Sequence, residues 1–377
     1  MVVATHKTSE TGRFRVIMHV DLDYFFAQCE ERRNASLKNR PVVVCQFSGR
    51  TEDSGAVSTT NYLAREMGVR AGISISDAKK RLDGKNAVFL PTDHEFYDII
   101  SDSVMVILKN YTDRFEQVSV DEAFLDASSR IAYNFERGRK LALTIKDEIV
   151  RKEKLTCSIG VGPNKSLAKI ASEFRKPDGL TVVSPDKATA FLAPLPVGKL
   201  YGVGKKTEER MKNLGIETVN DLANYDADKL SGIFGKKLAT YFHDTANGVD
   251  DEPVNEREGR KQLSAYSTLN KNTRLEEQIL PELERLSQRV HNEALDEELI
   301  FRSISIIAIL ENLSIHTRSK TLGTPVQNLD ILKKMSRELF KNFLEYERNL
   351  TVRRIGVKVS NLTKKSGQKT LADFHTS

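Results

Sequence analysis

Cysteine is scarce: Cys29, Cys45 and Cys157 are three in 377 residues, far apart and without a CxxC pair. That spacing excludes a disulfide framework and a cysteine zinc site. No HExxH gathers the seven histidines, which read as structural or surface groups. No GxGxxG follows a strand-like run. Gly160-Val161-Gly162 lacks the third glycine and a downstream ribose-binding acid, which argues against a dinucleotide fold. Long apolar runs are missing too. Ile304 to Leu310 is far short of the roughly 20 residues that span a bilayer, so no transmembrane helix and no membrane partner are expected. The N-terminal MVVATHKTSETGRFR has no basic stretch followed by an apolar core, so it is no secretory signal, and a soluble, cytoplasmic protein is expected.

What is present describes an ordinary globular chain, with 39% hydrophobic and 29% charged residues. The length predicts two or three domains. A net charge of +6 and a pI near 9.0 point to a polyanionic partner, but only weakly, because 58 basic residues face 52 acidic ones.

Chemistry concentrates in two acidic stretches. Ser119-Val120-Asp121-Glu122-Ala123-Phe124 sets adjacent carboxylates in an apolar, strand-like run. Neighbours in a strand point to opposite faces, so a convergent pair needs a turn or bulge between them. Buried and unpaired, such acids would lose hydration, which suggests a cation at the site. Magnesium fits, because it takes oxygen ligands and only one or two protein carboxylates. The pair alone is equally compatible with a hairpin end carrying two solvated acids. Arg15 to Asp23, RVIMHVDLD, is a second apolar run of strand length that ends in acids and leads into Tyr24-Phe25-Phe26. Asp21 from its end could meet Asp121 and Glu122 from a neighbouring hairpin, as a two-metal phosphoryl-transfer site requires.

VDLDYFF and SVDEAFLD together resemble the palm of the Y-family DNA polymerases, in particular the archaeal DinB (polymerase IV) branch. The likeness continues through Pro41 to Arg65, Ser158 to Gly179 and Val352 to Leu362, in the family's order. It implies an α+β multidomain, right-hand fold: a palm (1–24 and 91–183), small fingers (25–90), a helical helix-hairpin-helix thumb (184–249), an exposed linker (250–260), a ββαββα-type little finger (261–360), and a flexible tail (361–377). The highly charged, aperiodic 250–260 stretch independently reads as a linker.

The resemblance also implies the site. Asp21, the Leu22 carbonyl, Asp121 and Glu122 would hold two Mg²⁺. Tyr24, Phe25, Phe26, Thr59, Tyr62, Arg65 and Lys176 would contact the dNTP, with Phe26 as the steric gate against a ribose 2′-OH, where many relatives carry Tyr. Tyr24 and Phe25 could instead be core aromatics, and Lys176 a surface lysine. Gly202, Gly204 and Lys205, in a Gly-Val-Gly turn that could also be a plain αα-turn, would grip DNA phosphates at a helix N-terminus. Arg302, Arg318, Lys320, Arg353, Arg354 and Lys358 lie on or beside strands and could make one sheet face basic. In the tail, Gln368, Leu371, Phe374 and His375 resemble a sliding-clamp box, which usually ends in two aromatics where His375 stands here. The implied activity is low-fidelity translesion synthesis by a monomer on primer-template DNA, without a proofreading exonuclease. Two alternatives are a non-catalytic, DNA-bound scaffold tethered to the clamp, and a palm-type nucleotidyl cyclase.

Overall fold

The computed structural model describes residues 14–256, 259–346 and 349–365. The clamp-box residues Gln368, Leu371, Phe374 and His375 lie outside them. Contacts divide the chain into two units, residues 1–46 with 56–257, and residues 47–55 with 258–377.

The first unit begins with β1 (Ile17–Leu22), α1 (Phe25–Arg33), β2 (Val42–Phe47), β3 (Gly55–Thr60), α2 (Tyr62–Glu66), α3 (Ile75–Arg81) and β4 (Val88–Pro91). It continues with α4 (His94–Lys109), β5 (Arg114–Gln117), β6 (Glu122–Asp126), α5 (Phe135–Glu153), β7 (Cys157–Gly162), α6 (Lys165–Phe174) and β8 (Leu180–Val182). β1, β5, β6, β7 and β8 form a five-stranded sheet in the order β5-β6-β1-β7-β8. β1 lies in the middle, antiparallel to β6 and β7, and all six of its residues are buried. Its period of two separates two faces. Met18, Val20 and Leu22 join the core that includes Val104 and Leu108 of α4 and Ile145 and Ile149 of α5, while Ile17 packs with Phe124 and Ala168 toward α6. Gly160 makes this second face possible. A Cβ there would stand 2.0 Å from the Ala168 carbonyl oxygen, so only glycine lets α6 lie this close to the sheet. β2, β3 and β4 form a separate three-stranded sheet in the order β3-β2-β4.

Short helices follow: α7 (Ala188–Leu192), α8 (Lys205–Lys212), α9 (Val219–Ala223), α10 (Ala227–Phe234) and α11 (Lys236–Ala246). They close over a core shared with Leu167, Ile170 and Ala171 of α6, which includes Leu200, Met211, Ile216, Leu222 and Phe242. The next residues, expected as an exposed linker, are exposed at Asp251–Pro253, Asn255, Glu256, Gly259 and Arg260, but they are anchored. Val254 is 1% exposed and packs with Ile17, Phe124 and Ala168. The Asp250 carboxylate accepts from the backbone and hydroxyl of Ser166, Lys165 pairs with Glu116 and Glu252, and Arg15 donates to the carbonyls of Asp250 and Glu252. Charge and missing periodicity hid one apolar anchor and its ion pairs.

The second unit runs β9 (Gln262–Thr273), α12 (Glu276–Asp296), β10 (Leu299–Leu310), β11 (Ile315–Val326), α13 (Leu329–Tyr346) and β12 (Val352–Lys364). Its order is therefore βαββαβ rather than ββαββα, in an antiparallel sheet β11-β10-β12-β9. β11 escapes sequence reading because IHTRSKTLGTPV has little apolar alternation. As an edge strand it needs little, and an edge tolerates its proline. Residues 47–55 also group here, where the Arg50 guanidinium donates to the carbonyls of Leu269 and Arg353.

Candidate active site

The strand register brings the acids together. Asp21 is the cross-strand neighbour of Glu122 on one side and of Ser158 on the other, so both carboxylates stand on the α6 face of the sheet. α6 adds residues at helical spacing: Lys169, Ser172 and Glu173, with Lys176 in the turn beyond. Carboxylate oxygens of Asp21, Glu122 and Glu173 lie within 4.8 Å of one another. Asp121 is outside that trio; it accepts from the Ser119 hydroxyl at 2.5 Å in the turn before β6. Asp23 serves the frame, buried and accepting from Thr156, Ser158 and the Asp178 amide.

Two lysines balance the trio. Lys176 Nζ lies 2.7 Å from Asp21 and 2.6 Å from Glu173, and Lys169 Nζ lies 2.8 Å from Glu122. Burial pushes the Asp21 carboxyl up to about 8, against the pull of Lys176. Glu122 behaves oppositely: burial works to raise it, but the Lys169 ammonium holds it well below the usual carboxylate range. Burial also raises Asp121. Two carboxyls at one point are thus driven apart, a pattern typical of reactive sites.

Next to the acids the structure offers an anion site. Tyr24 adopts a left-handed backbone, φ 37°, which turns the chain from β1 straight into α1, and no side chain caps the first turn of that helix. Uncapped amides at a helix start suit phosphate. The Tyr62 hydroxyl is buried without a hydrogen-bond partner, beside the edge of the Tyr24 ring. The Arg65 guanidinium lies over the Tyr62 ring, 4.8 Å from its centroid, while its Nε donates to the Thr60 carbonyl. Thr59 is half-buried at the end of β3. The Phe25 side chain belongs to the core, so what it can offer a ligand is its amide. Phe26 stacks on Tyr97 at 4.4 Å between centroids.

An oxygen-only set of acids, an orphaned hydroxyl and uncapped amides fit a hard divalent cation carrying phosphate. Sequence reasoning missed Glu173, Lys169 and His19. Signals existed: Glu173 stands three residues before Lys176, Lys169 four before Glu173, and His19 two before Asp21 on the same strand face.

Other expected contacts lie elsewhere in each unit. Gly202 has φ +87° and abuts the Tyr241 ring, and Gly204 precedes α8, whose first residue is the exposed Lys205. In the second unit the face away from the helices carries Tyr266, Ser303, Ser305, Arg354, Gly356 and Lys358 in register, with Arg354 over the Tyr266 ring. Arg353 is half-buried. Arg318 and Lys320 do not share that face. They pair with Ile306 and Ile304, and Arg318 lies over the rings of Phe343 and Tyr346 of α13, so the period of two corrects their expected place.

Comparison with known proteins gives the family. Family models match at residues 20–173 (impB/mucB/samB family), 198–250 (DNA polymerase-iota, thumb domain) and 260–371 (impB/mucB/samB family C-terminal domain). The chain is 46% identical to DNA polymerase IV 1 of Methanosarcina mazei, over 96% of this chain and 99% of that one. It is 43% identical to DNA polymerase IV of Nitrosopumilus maritimus at the same coverage. A solved Y-family polymerase chimera of Dbh and Dpo4 superposes with a TM-score of 0.88 at 38% identity, covering 93% of this chain and 100% of the other. The insertion ternary complex of Dbh DNA polymerase gives 0.67 at 37% identity and the same coverage. The chain belongs to the DinB, or polymerase IV, branch of the Y-family DNA polymerases. It is accordingly a DNA-directed DNA polymerase of the translesion class, a family that uses divalent metal. Among the described residues no helix is long and apolar enough to cross a membrane.

Proposed function

We propose that the chain extends a primer 3′-OH with dNTPs on a template strand, using two Mg²⁺ held on the α6 face of the five-stranded sheet. The observation that carries this is the cross-strand pairing of Asp21 with Glu122, faced by Lys176 beside uncapped amides and the orphaned Tyr62 hydroxyl. Asp21 and Glu122 are the first metal ligands, with Asp121 and the Leu22 carbonyl completing the set. When bound, the ions stabilise the attacking and leaving oxygens of the α-phosphate displacement. The chain's own residues do the rest. Lys176 turns from Asp21 to the triphosphate, Arg65 and the Tyr62 hydroxyl orient it, and the first amides of α1 receive its negative charge. Phe26, fixed by Tyr97, meets the sugar edge and excludes a 2′-OH.

Primer-template DNA is held by the turn at Gly202 to Lys205 and by the open face bearing Arg354 and Lys358, in keeping with solved relatives described as ternary and binary complexes. We also propose that the enzyme works without its own exonuclease, as a monomer in the cytoplasm, and that Gln368, Leu371, Phe374 and His375 tether it to a sliding clamp. Deleting residues 366–377 should then remove clamp stimulation only. The test of the main reading is primer extension on undamaged and abasic templates. Mg²⁺-dependent extension past the abasic site supports it, and DNA binding without extension at any metal concentration would favour a non-catalytic scaffold.

A further inference from the structure

Behind Glu122 stands a hydrogen-bonded chain with a readable proton order. The Ser172 hydroxyl gives its single hydrogen to the Lys169 carbonyl at 2.8 Å. At its other contact, 2.8 Å from His19 Nδ1, it therefore accepts, which assigns the ring proton to Nδ1. His19 is fully buried, its ring centroid 4.6 Å from that of Phe124. Nε2 faces Lys169 Nζ at 3.5 Å, and because an ammonium can only donate, Nε2 presents a lone pair there, 3.7 Å from Glu122 Oε2. A lone pair facing a carboxylate oxygen is unfavourable unless a donor serves both. The Lys169 ammonium does so, 2.8 Å from Glu122.

We propose that Lys169 is the resident counter-ion of Glu122, aimed by the His19 ring, and that a divalent cation must displace it from the carboxylate to bind. The displaced side chain has somewhere to go. Lys169 lines a cavity of about 480 Å³ with Glu173, Phe174, Lys199 and Tyr201, and its ammonium already lies 5.9 Å from the Tyr201 ring centroid. The exchange keeps a half-buried acid paired when no metal is present and lowers its affinity for a lone cation. Lys169 and His19 are thus positioning residues, and the inference rests on the reading of Asp21 and Glu122 as metal ligands.

The test is Mn²⁺ alone, titrated calorimetrically into the full chain without DNA or nucleotide. Lys169→Met should bind Mn²⁺ about tenfold more tightly, because a unit positive charge beside the carboxylate is gone. Lys169→Arg should stay near the parent, and His19→Phe, which leaves the lysine unaimed, should tighten binding about twofold to threefold. Unchanged or weaker binding by Lys169→Met, or equal tightening by Lys169→Arg, overturns the proposal. If Lys169→Met fails to fold, no tightening in His19→Phe overturns it instead. Asp21→Asn reports separately: parent-like Mn²⁺ affinity there would remove the metal reading itself.

Discussion

The five-stranded sheet of the first unit and the four-stranded sheet of the second place polar groups on opposite principles. β1 is buried under helices on both sides, yet its α6 face carries His19 and Asp21, with Asp21 only 4% exposed. The open face of the second sheet carries Ser264, Tyr266 and Ser360, half-buried, around Arg354 and Lys358. Burial governs the first set, because charge without water shifts pKa and strengthens every pairing. The second set keeps more of its water. A face proposed to hold a polyanion of any sequence needs donors and a few cations that stay hydrated.

The contrast can be broken most forcefully at Gly160. Gly160→Ala drives a methyl into the α6 backbone and should cost about 3 kcal/mol or more, with loss of extension as Lys169 and Lys176 shift. Urea unfolding beside an extension assay checks it, and parent-like stability would show that the close sheet-helix contact is unimportant. Phe26→Ala, which leaves the fold intact, should raise the ratio of rNTP to dNTP incorporation on the order of 10 to 100-fold. An unchanged ratio would mean that Phe26 does not meet the sugar. On the second sheet, Arg354→Ala with Lys358→Ala should weaken primer-template binding evenly across sequences and lower the slope of log K against log salt by about 2. A loss confined to particular sequences would mean that this face reads bases.

A smaller effect separates Asp21 from every exposed acid. Its folded pKa, about 8, lies above the unfolded value of 3.8, so its contribution to stability is present at low pH and fades as pH rises through that window. Chelated protein should lose up to about 1 kcal/mol of unfolding free energy per pH unit between pH 5 and 8 from this group, and Asp21→Asn should flatten the slope. Glu122, held low, contributes in the opposite sense and is lost only in strong acid.

Much of this was legible in the sequence, for identifiable reasons. The start of α6 (Lys165–Phe174) is written in Gly162-Pro163-Asn164, which turns the chain out of β7, and Asn164 caps the helix by accepting from the Leu167 amide. Asp21 and Glu122 were legible as acids at the end of apolar runs. Their partners were not. Lys169 and Glu173 look like ordinary charges on an amphipathic helix until Gly160 shows which helix face meets the sheet. His19 looks like a core residue until the register places it behind Glu122. Val254 is a single apolar residue in a charged stretch, and β11 is an edge strand without alternation; neither carries a periodic signal.

Single-turnover extension by Asp21→Asn and Glu122→Gln in Mg²⁺, with DNA affinity measured on the same preparations, tests the proposed role of the Asp21 and Glu122 pair most directly. The expected result is a loss of at least about a thousandfold in extension rate with DNA affinity within about threefold of the parent, because these carboxylates act on the transition state and the grip lies elsewhere. Extension near the parent rate by either variant would contradict it.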